Sequence, residues 1–222
     1  YDAAVQNAVQ DYGMQLDPFT GLRYPQRIER AEVFLQEGAP AGRGGESEEW
    51  LTIEYVPEII VPDDAWADWD AANQVFITAG ERFTETPTAV QKTVVYYPSE
   101  LYDTAWHDGS PFSVADVVMH MIMYMDPGKE DSAIFDSSIA APLEAWLQAF
   151  KGIRIVSEDP LVIETYTDNY ALEGELIDQI SQATWYPSNS DSPGYPYGTG
   201  GWHSIGLGVL PEAAGELAFT SA

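Results

Sequence analysis

Three histidines, His107, His120 and His203, are the side chains best suited to ligate a metal or move a proton near neutral pH. None has a second histidine four residues away, and the chain contains no cysteine, so zinc-ligand spacing is not met. His107 reads as the hydrogen-bonded anchor of a turn, and His120 as a packed or surface residue on the side of a helix. Asp63, Asp64, Asp68, Asp70 and Asn73 gather oxygen atoms of the kind calcium takes. An EF-hand loop counted from Asp68 needs glycine at its sixth position and glutamate at its twelfth, but Asn73 and Ala79 stand there. The reading is a solvated acidic turn that carries Trp66 and Trp69. Carboxylates are numerous enough for chance pairs, and no spacing marks two of them as flanking a sugar. There is no G-x-S-x-G elbow, no Walker loop and no dinucleotide glycine motif, and Gly198-Thr199-Gly200-Gly201 lacks the lysine of a phosphate loop. The expectation is no catalytic residue, no metal and no cofactor.

Aromatic side chains are the better ligand candidates. Thirteen tyrosines and seven tryptophans offer stacking faces with polar edges, which suit peptides and sugars. Trp185, Tyr186, Tyr195, Tyr197 and Trp202 lie in or beside a long Ser/Gly/Pro/Tyr stretch. Plain packing is the competing role for each. As a group near one loop they are candidate ligand contacts, with Trp185, Tyr186, Tyr195 and Trp202 foremost.

Charge restricts the partners. Asp and Glu number 36 against 9 Lys and Arg, a formal net charge of −27 over 222 residues. Such a field repels nucleic-acid phosphates and anionic membrane surfaces. It fits a solubility or salt adaptation, or attraction of a cationic ligand. No apolar run approaches the roughly 18 residues of a membrane span. Hydrophobic residues make up 45% of the chain, enough for a sizeable core.

Periodicity supplies the elements that must hold these residues. Helical spacing is read near residues 4–9, over Gln26 to Gln36, after Ser113, near Pro142 to Lys151, around Leu172 to Ile180 and from Pro211 to Leu217. Strands are read within Leu51 to Ile60, at Gln74 to Thr78, Gln91 to Tyr97, Ile153 to Val156 and Leu161 to Tyr166, the last two joined by a turn at Glu158-Asp159-Pro160. Residues 38–49 and 187–201 read as flexible loops. Pro142 and Gly152 suit the first turn and the C-terminal cap of the helix between them. Met119, Met121, Met123 and Met125 fall on one helix, where gap-filling burial is favoured over an adaptable surface.

The most informative stretch is Trp106-His107-Asp108-Gly109-Ser110-Pro111-Phe112-Ser113-Val114-Ala115-Asp116-Val117-Val118. Asp108-Gly109 gives a tight turn, Ser113 an N-cap, and Asp116 the residue that bonds back to it. Val114, Val117, Val118, Met121, Ile122 and Met125 then share a helix face. These words resemble the hallmark "F/W-H-D-G-T-P-L-T-A-E-D-V-V" of the family 5 extracellular solute-binding proteins, the oligopeptide- and dipeptide-type binding components of ABC importers. The strand Val90 to Tyr97 before it fits the family order. So does Phe150 to Thr165 after it, which resembles the family's "I-x-x-V-x-V-x-D-D-x-T-V" hairpin. The resemblance covers roughly Trp50 to Tyr170. Ser110, Phe112, Ser113 and Val114 are mild departures from Thr, Leu, Thr and Ala.

The resemblance implies an α/β fold of the type II periplasmic-binding class, a mixed β-sheet flanked by helices. Family members are longer and two-lobed, so residues 1–222 are expected to be a single excised domain, mostly the first lobe, lacking the second lobe of the same chain. Implied partners are a small-molecule or peptide ligand and ABC permease subunits. The implied location is extracytoplasmic, periplasmic or cell-surface, with a lipid anchor in the full-length protein. The implied role is capture of a solute without catalysis. The alternative is an extracellular carbohydrate-active enzyme or carbohydrate-binding module, favoured by the aromatics and carboxylates.

Overall fold

Strand-period alternation decides most of this structure. A computed structural model describes residues 12–17, 19, 23–39, 49–106, 108–169, 180, 183–187 and 210–216. Among these residues nine strands run in chain order: β1 Met14–Leu16, β2 Arg23–Pro25, β3 Arg30–Gln36, β4 Leu51–Val56, β5 Trp66–Asp70, β6 Val75–Thr78, β7 Gln91–Tyr96, β8 Phe150–Glu158 and β9 Leu161–Thr167. The helices are α1 Ala79–Arg82, α2 Val114–Met125 and α3 Ser137–Ala149. Strands β1 and β2 form a small antiparallel pair. The other seven form one sheet in the order β4-β3-β7-β9-β8-β5-β6. Only β3 and β4 run parallel; the other pairs are antiparallel. The fold is therefore mixed α/β, a mixed sheet with helices. No helix among the described residues is long and apolar enough to cross a membrane.

The helix expected over Gln26 to Gln36 is instead a bend followed by β3. Ala31, Val33 and Leu35 are buried while the residues between them are half-buried, a period of two that a helix cannot present. Their partners on β7 and β4 decide the matter, because a strand at this position fills the gap between two others.

The acidic turn at 63–70 is also a strand over its second half. In β5 a bulge between Trp66 and Asp68 shifts the register, so that Trp66 and Trp69 both reach Phe76 on β6. Trp66 stacks on Phe76 at 4.2 Å and Trp69 meets it edge-on at 4.9 Å. Three of the carboxylates of this stretch have protein partners. Asp68 pairs with Lys129 at 2.6 Å, Asp64 with Arg154 at 3.3 Å, and Asp70 accepts from the backbone and side chain of Asn73.

The turn and helix of the 106–125 stretch match the sequence reading. Gly109 takes φ of 85°, its N–H bonds to the Trp106 carbonyl, and Asp108 Oδ1 accepts the Ser110 N–H at 2.9 Å. Asp116 Oδ2 accepts the Ser113 backbone N–H at 2.8 Å and its hydroxyl at 3.1 Å. The other oxygen, Oδ1, accepts the Trp106 indole N–H at 3.0 Å. One buried carboxylate thus ties the turn to the helix start.

Helix α2 lies over the sheet: Val117, Met121 and Met125 join Val33, Val95, Leu161 and Ile163 in the main core. Each such side chain contributes roughly 1.5–3 kcal/mol when fully buried. Met121, Met123 and Met125 are buried, as gap-filling residues are. Helix α3 begins earlier than expected. Asp136 accepts the Ser138 N–H at 2.9 Å and so sets the start, leaving Pro142 inside the helix. Its end is also different. Phe150, not Gly152, is the C-cap, and Gly152 lies in β8, where a Cβ would come within 2.9 Å of Ala65 Cβ. A smaller core on the opposite face of the sheet gathers Ile59, Val61, Ala65, Ala67, Ala79, Ala89 and Tyr166.

Residues 210–213 are helical, in the region where a last helix is expected. The helices expected near residues 4–9 and over most of 172–180 lie outside the described residues, as do positions 40–48 and 188–201 of the expected loops.

Candidate functional site

The helix-facing side of β7 and β9 changes character along its length. Val95 pairs with Ile163, then Thr93 with Thr165, and Gln91 with Thr167. The first pair belongs to the apolar core, whereas Gln91, Thr93 and Thr165 are polar and only 1%, 2% and 8% exposed. Buried polar groups cost free energy unless hydrogen-bonded, so a polar patch in this place needs partners. The strand between them is amphipathic across the sheet: Lys92 points to the opposite face and pairs there with Glu164 at 2.7 Å.

Above the polar patch is a cavity of ≈ 60 Å³. By volume it holds roughly four water molecules, or one small functional group. Its floor is Gln91, Thr93, Thr165 and Thr167. His120 and Tyr124 reach it from α2, where a spacing of four residues puts both on one face. Trp146 of α3, Phe150, Asn169, Ala183 and Trp185 complete the lining. None of these lining residues is Asp, Glu, Lys or Arg.

The aromatic wall is rigidly braced. Trp146 stacks on Phe150 at 4.1 Å and leans on Tyr124 at 4.8 Å. Trp185 meets Tyr124, Trp146, Phe150 and His120 edge-on at 5.6, 6.2, 6.3 and 6.4 Å. Its backbone has φ of 52°, in the left-handed region that bulky side chains avoid. The indole N–H donates to Thr165 Oγ1 at 3.0 Å, fixing the ring against the floor. Backbone strain held by several contacts is characteristic of binding and catalytic sites.

Two groups give the cavity its chemistry. Gln91 Nε2 donates to Thr93 Oγ1 at 3.1 Å, while Gln91 Oε1 is buried with no partner among the described residues. The His120 imidazole is 7% exposed, and burial lowers its pKa to about 4, so it is neutral at pH 7. A neutral imidazole offers one donor and one acceptor. Thr167 is already engaged: its Oγ1 donates to the Ala149 carbonyl at 3.3 Å and accepts the Asn169 N–H at 3.0 Å.

Of the residues singled out from sequence, Trp185 lines the cavity. Tyr186 does not; it stacks on Phe112 at 5.4 Å and on Tyr97 at 6.5 Å within the main core. Tyr195 and Trp202, together with Tyr197, His107 and His203, lie outside the described residues. Sequence reasoning missed Gln91, Thr93, Thr165 and Thr167. The available signal was a polar residue recurring at every second position of two strands otherwise rich in Val and Ile. His120, expected to be a packed or surface residue on the side of its helix, is buried and lines the cavity.

No protein-family model matches the chain, and no curated protein matches it.

Proposed function

We propose that the chain captures a small solute without transforming it, as a binding component of an ABC import system in the manner of the family 5 extracellular solute-binding proteins. In that reading the sheet and its helices are a lobe of the type II periplasmic-binding class, working outside the cytoplasm. A second lobe closes over the ligand about a hinge, and the permease recognises the closed population.

One observation carries the reading. The helix introduced by the hallmark segment supplies His120 and Tyr124 to a cavity with aromatic walls and a hydroxyl- and amide-bearing floor. Pockets that hold small molecules have this make-up, an apolar lining with a few placed polar groups. Hydrolysis of a glycoside needs two carboxyl groups flanking the bond, and the described lining carries neither Asp nor Glu. Capture is therefore better supported than a carbohydrate-active enzyme.

Native mass spectrometry of the purified protein tests the proposal, comparing the unaltered chain with Trp185→Ala. The expected result is a co-purifying solute of defined mass that the variant loses, released unchanged on denaturation. Turnover of that solute by the protein, or retention of the same solute by Trp185→Ala, overturns it.

A further inference from the structure

Building on the capture reading, we propose that His120 is the residue that selects the solute. Its imidazole hydrogen-bonds a ligand hydroxyl, and the class captured is a hydroxylated one, a polyol or the polyol-like end of a sugar.

His120 brings an unengaged polar ring to the cavity. It is 7% exposed, and burial alone displaces its pKa, with no hydrogen bond contributing. Neither ring nitrogen has a hydrogen-bond partner among the described residues. Two other buried polar atoms among those residues lack a partner, Trp50 Nε1 and Gln91 Oε1, and each is closed off with less than 1 Å² of surface. The His120 nitrogens are not closed off in this way. The surface they keep belongs to a residue of the lining, so a guest in the cavity reaches the ring. Gln91 makes the floor polar from beneath, whereas His120 stands within reach. A hydrogen-bonding group left unmet inside a protein is costly, and a ligand that meets it relieves that cost.

The ring is also held in place. Helix α2 starts at the Ser113–Asp116 pairing, and His120 follows one turn after Asp116 and one turn before Tyr124. Its ring meets Trp185 edge-on at 6.4 Å, and Trp185 is itself tied to Thr165. A side chain fixed beforehand loses little freedom when a ligand binds.

Imidazole chemistry then favours one ligand group. Held neutral, the ring offers one donor and one acceptor. Asn169, exposed at the open side of the lining, offers both kinds as well. A hydroxyl donates and accepts through a single atom, so it serves whichever nitrogen faces it. A ketone only accepts, and an amide divides its donor and acceptor between two atoms. The cavity has room for roughly four waters, and a ligand does best when it reproduces the hydrogen bonds of any it displaces. A hydroxyl is the organic group nearest to water in this respect. The C–H surface between successive hydroxyls suits the aromatic wall of Tyr124, Trp146, Phe150 and Trp185. At ≈ 60 Å³ the space takes one end of such a solute and not the whole of a large one.

Three uncharged probes of nearly equal shape test this: 2-propanol, acetone and acetamide. Affinity is read from the indole N–H resonance of Trp185, and the contact from the ring-nitrogen resonances of His120. 2-Propanol is expected to shift both saturably and to bind roughly fivefold tighter than acetone or acetamide, a margin of about one hydrogen bond. His120→Phe keeps a ring in place and is expected to weaken 2-propanol by roughly the same factor. His120→Gln keeps a donor and an acceptor and is expected to retain most of the affinity. Equal or tighter binding of acetone or acetamide to the unaltered chain overturns the hydroxyl class and leaves capture standing. Binding of 2-propanol that His120→Phe leaves intact overturns the role of His120. So does binding that leaves the His120 nitrogens of the unaltered chain unmoved, a result that needs no variant should His120→Phe fail to fold. If no probe binds while a solute is still retained, this inference fails alone. If no solute is retained either, the capture reading fails with it.

Discussion

Trp185 and Thr165 are joined by an indole N–H donated to Oγ1 at 3.0 Å, across a cavity wall whose backbone at Trp185 has φ of 52°. The strain at one residue and the hydrogen bond to the other belong together. Without the Thr165 hydroxyl the buried indole N–H loses its acceptor and the left-handed backbone loses a restraint. Thr165→Val preserves the side-chain shape and is expected to cost about 2 kcal/mol, the penalty for an orphaned buried donor. Urea unfolding measures it. A loss under 0.5 kcal/mol would mean that aromatic packing alone holds Trp185.

His120 should leave a signature in the pH dependence of stability. Its folded pKa is lowered to about 4 by burial, against 6.5 in the unfolded chain. Above 6.5 both states are neutral and no penalty exists. As pH falls from 6.5 to about 4, the unfolded state takes a proton that the folded state refuses, so stability drops. The loss is roughly 3 kcal/mol over the window and stops growing below it. His120→Gln removes this contribution. The stability difference between the unaltered protein and the variant should therefore shrink as pH falls through the window, and a constant difference would refute the assignment.

Asp116 serves the turn and the helix at once, so its loss should exceed that of the cap serine. Ser113→Ala is expected to cost about 1 kcal/mol. Asp116→Ala strands the Ser113 N–H and the Trp106 indole N–H together and is expected to cost about 3 kcal/mol. Thermal or chemical unfolding of the two variants gives the order, and a reversed order would show that the carboxylate is not the tie.

Salt should stabilise this chain. With 36 acidic and 9 basic side chains, mutual repulsion opposes the folded state at low ionic strength. The screening length falls from about 30 Å at 0.01 M to about 3 Å at 1 M. The melting temperature is expected to rise steadily between those concentrations of sodium chloride. A flat or falling trend would mean that the acids are spread too thinly to repel.

Local signals made parts of the fold legible. The Asp108-Gly109 turn and the Ser113–Asp116 pairing are decided within a few residues, and both form as read. The β8–β9 hairpin is local for the same reason. Arg30 to Gln36 misled because its identity as a strand rests on β7 and β4, which are distant in sequence. Trp66 and Trp69 misled because a spacing of three contradicts strand alternation unless a bulge intervenes, and nothing in the surrounding aspartates announces one. The cavity was legible only at Trp185. Gln91 and Thr165 come together through strand pairing, and a glutamine in a valine-rich strand has no meaning until its neighbour across the ladder is known.

The cavity lining is drawn from positions as far apart as Gln91 and Trp185, on three strands, two helices and the stretch beyond them. No short peptide cut from this chain can reproduce such a wall. A bound guest therefore acts as a clasp on the whole molecule. At a hundredfold excess over its dissociation constant it adds about 2.7 kcal/mol to the folded state. If the proposed capture holds, resistance to proteolysis should follow the supply of solute, the filled protein outliving the empty one.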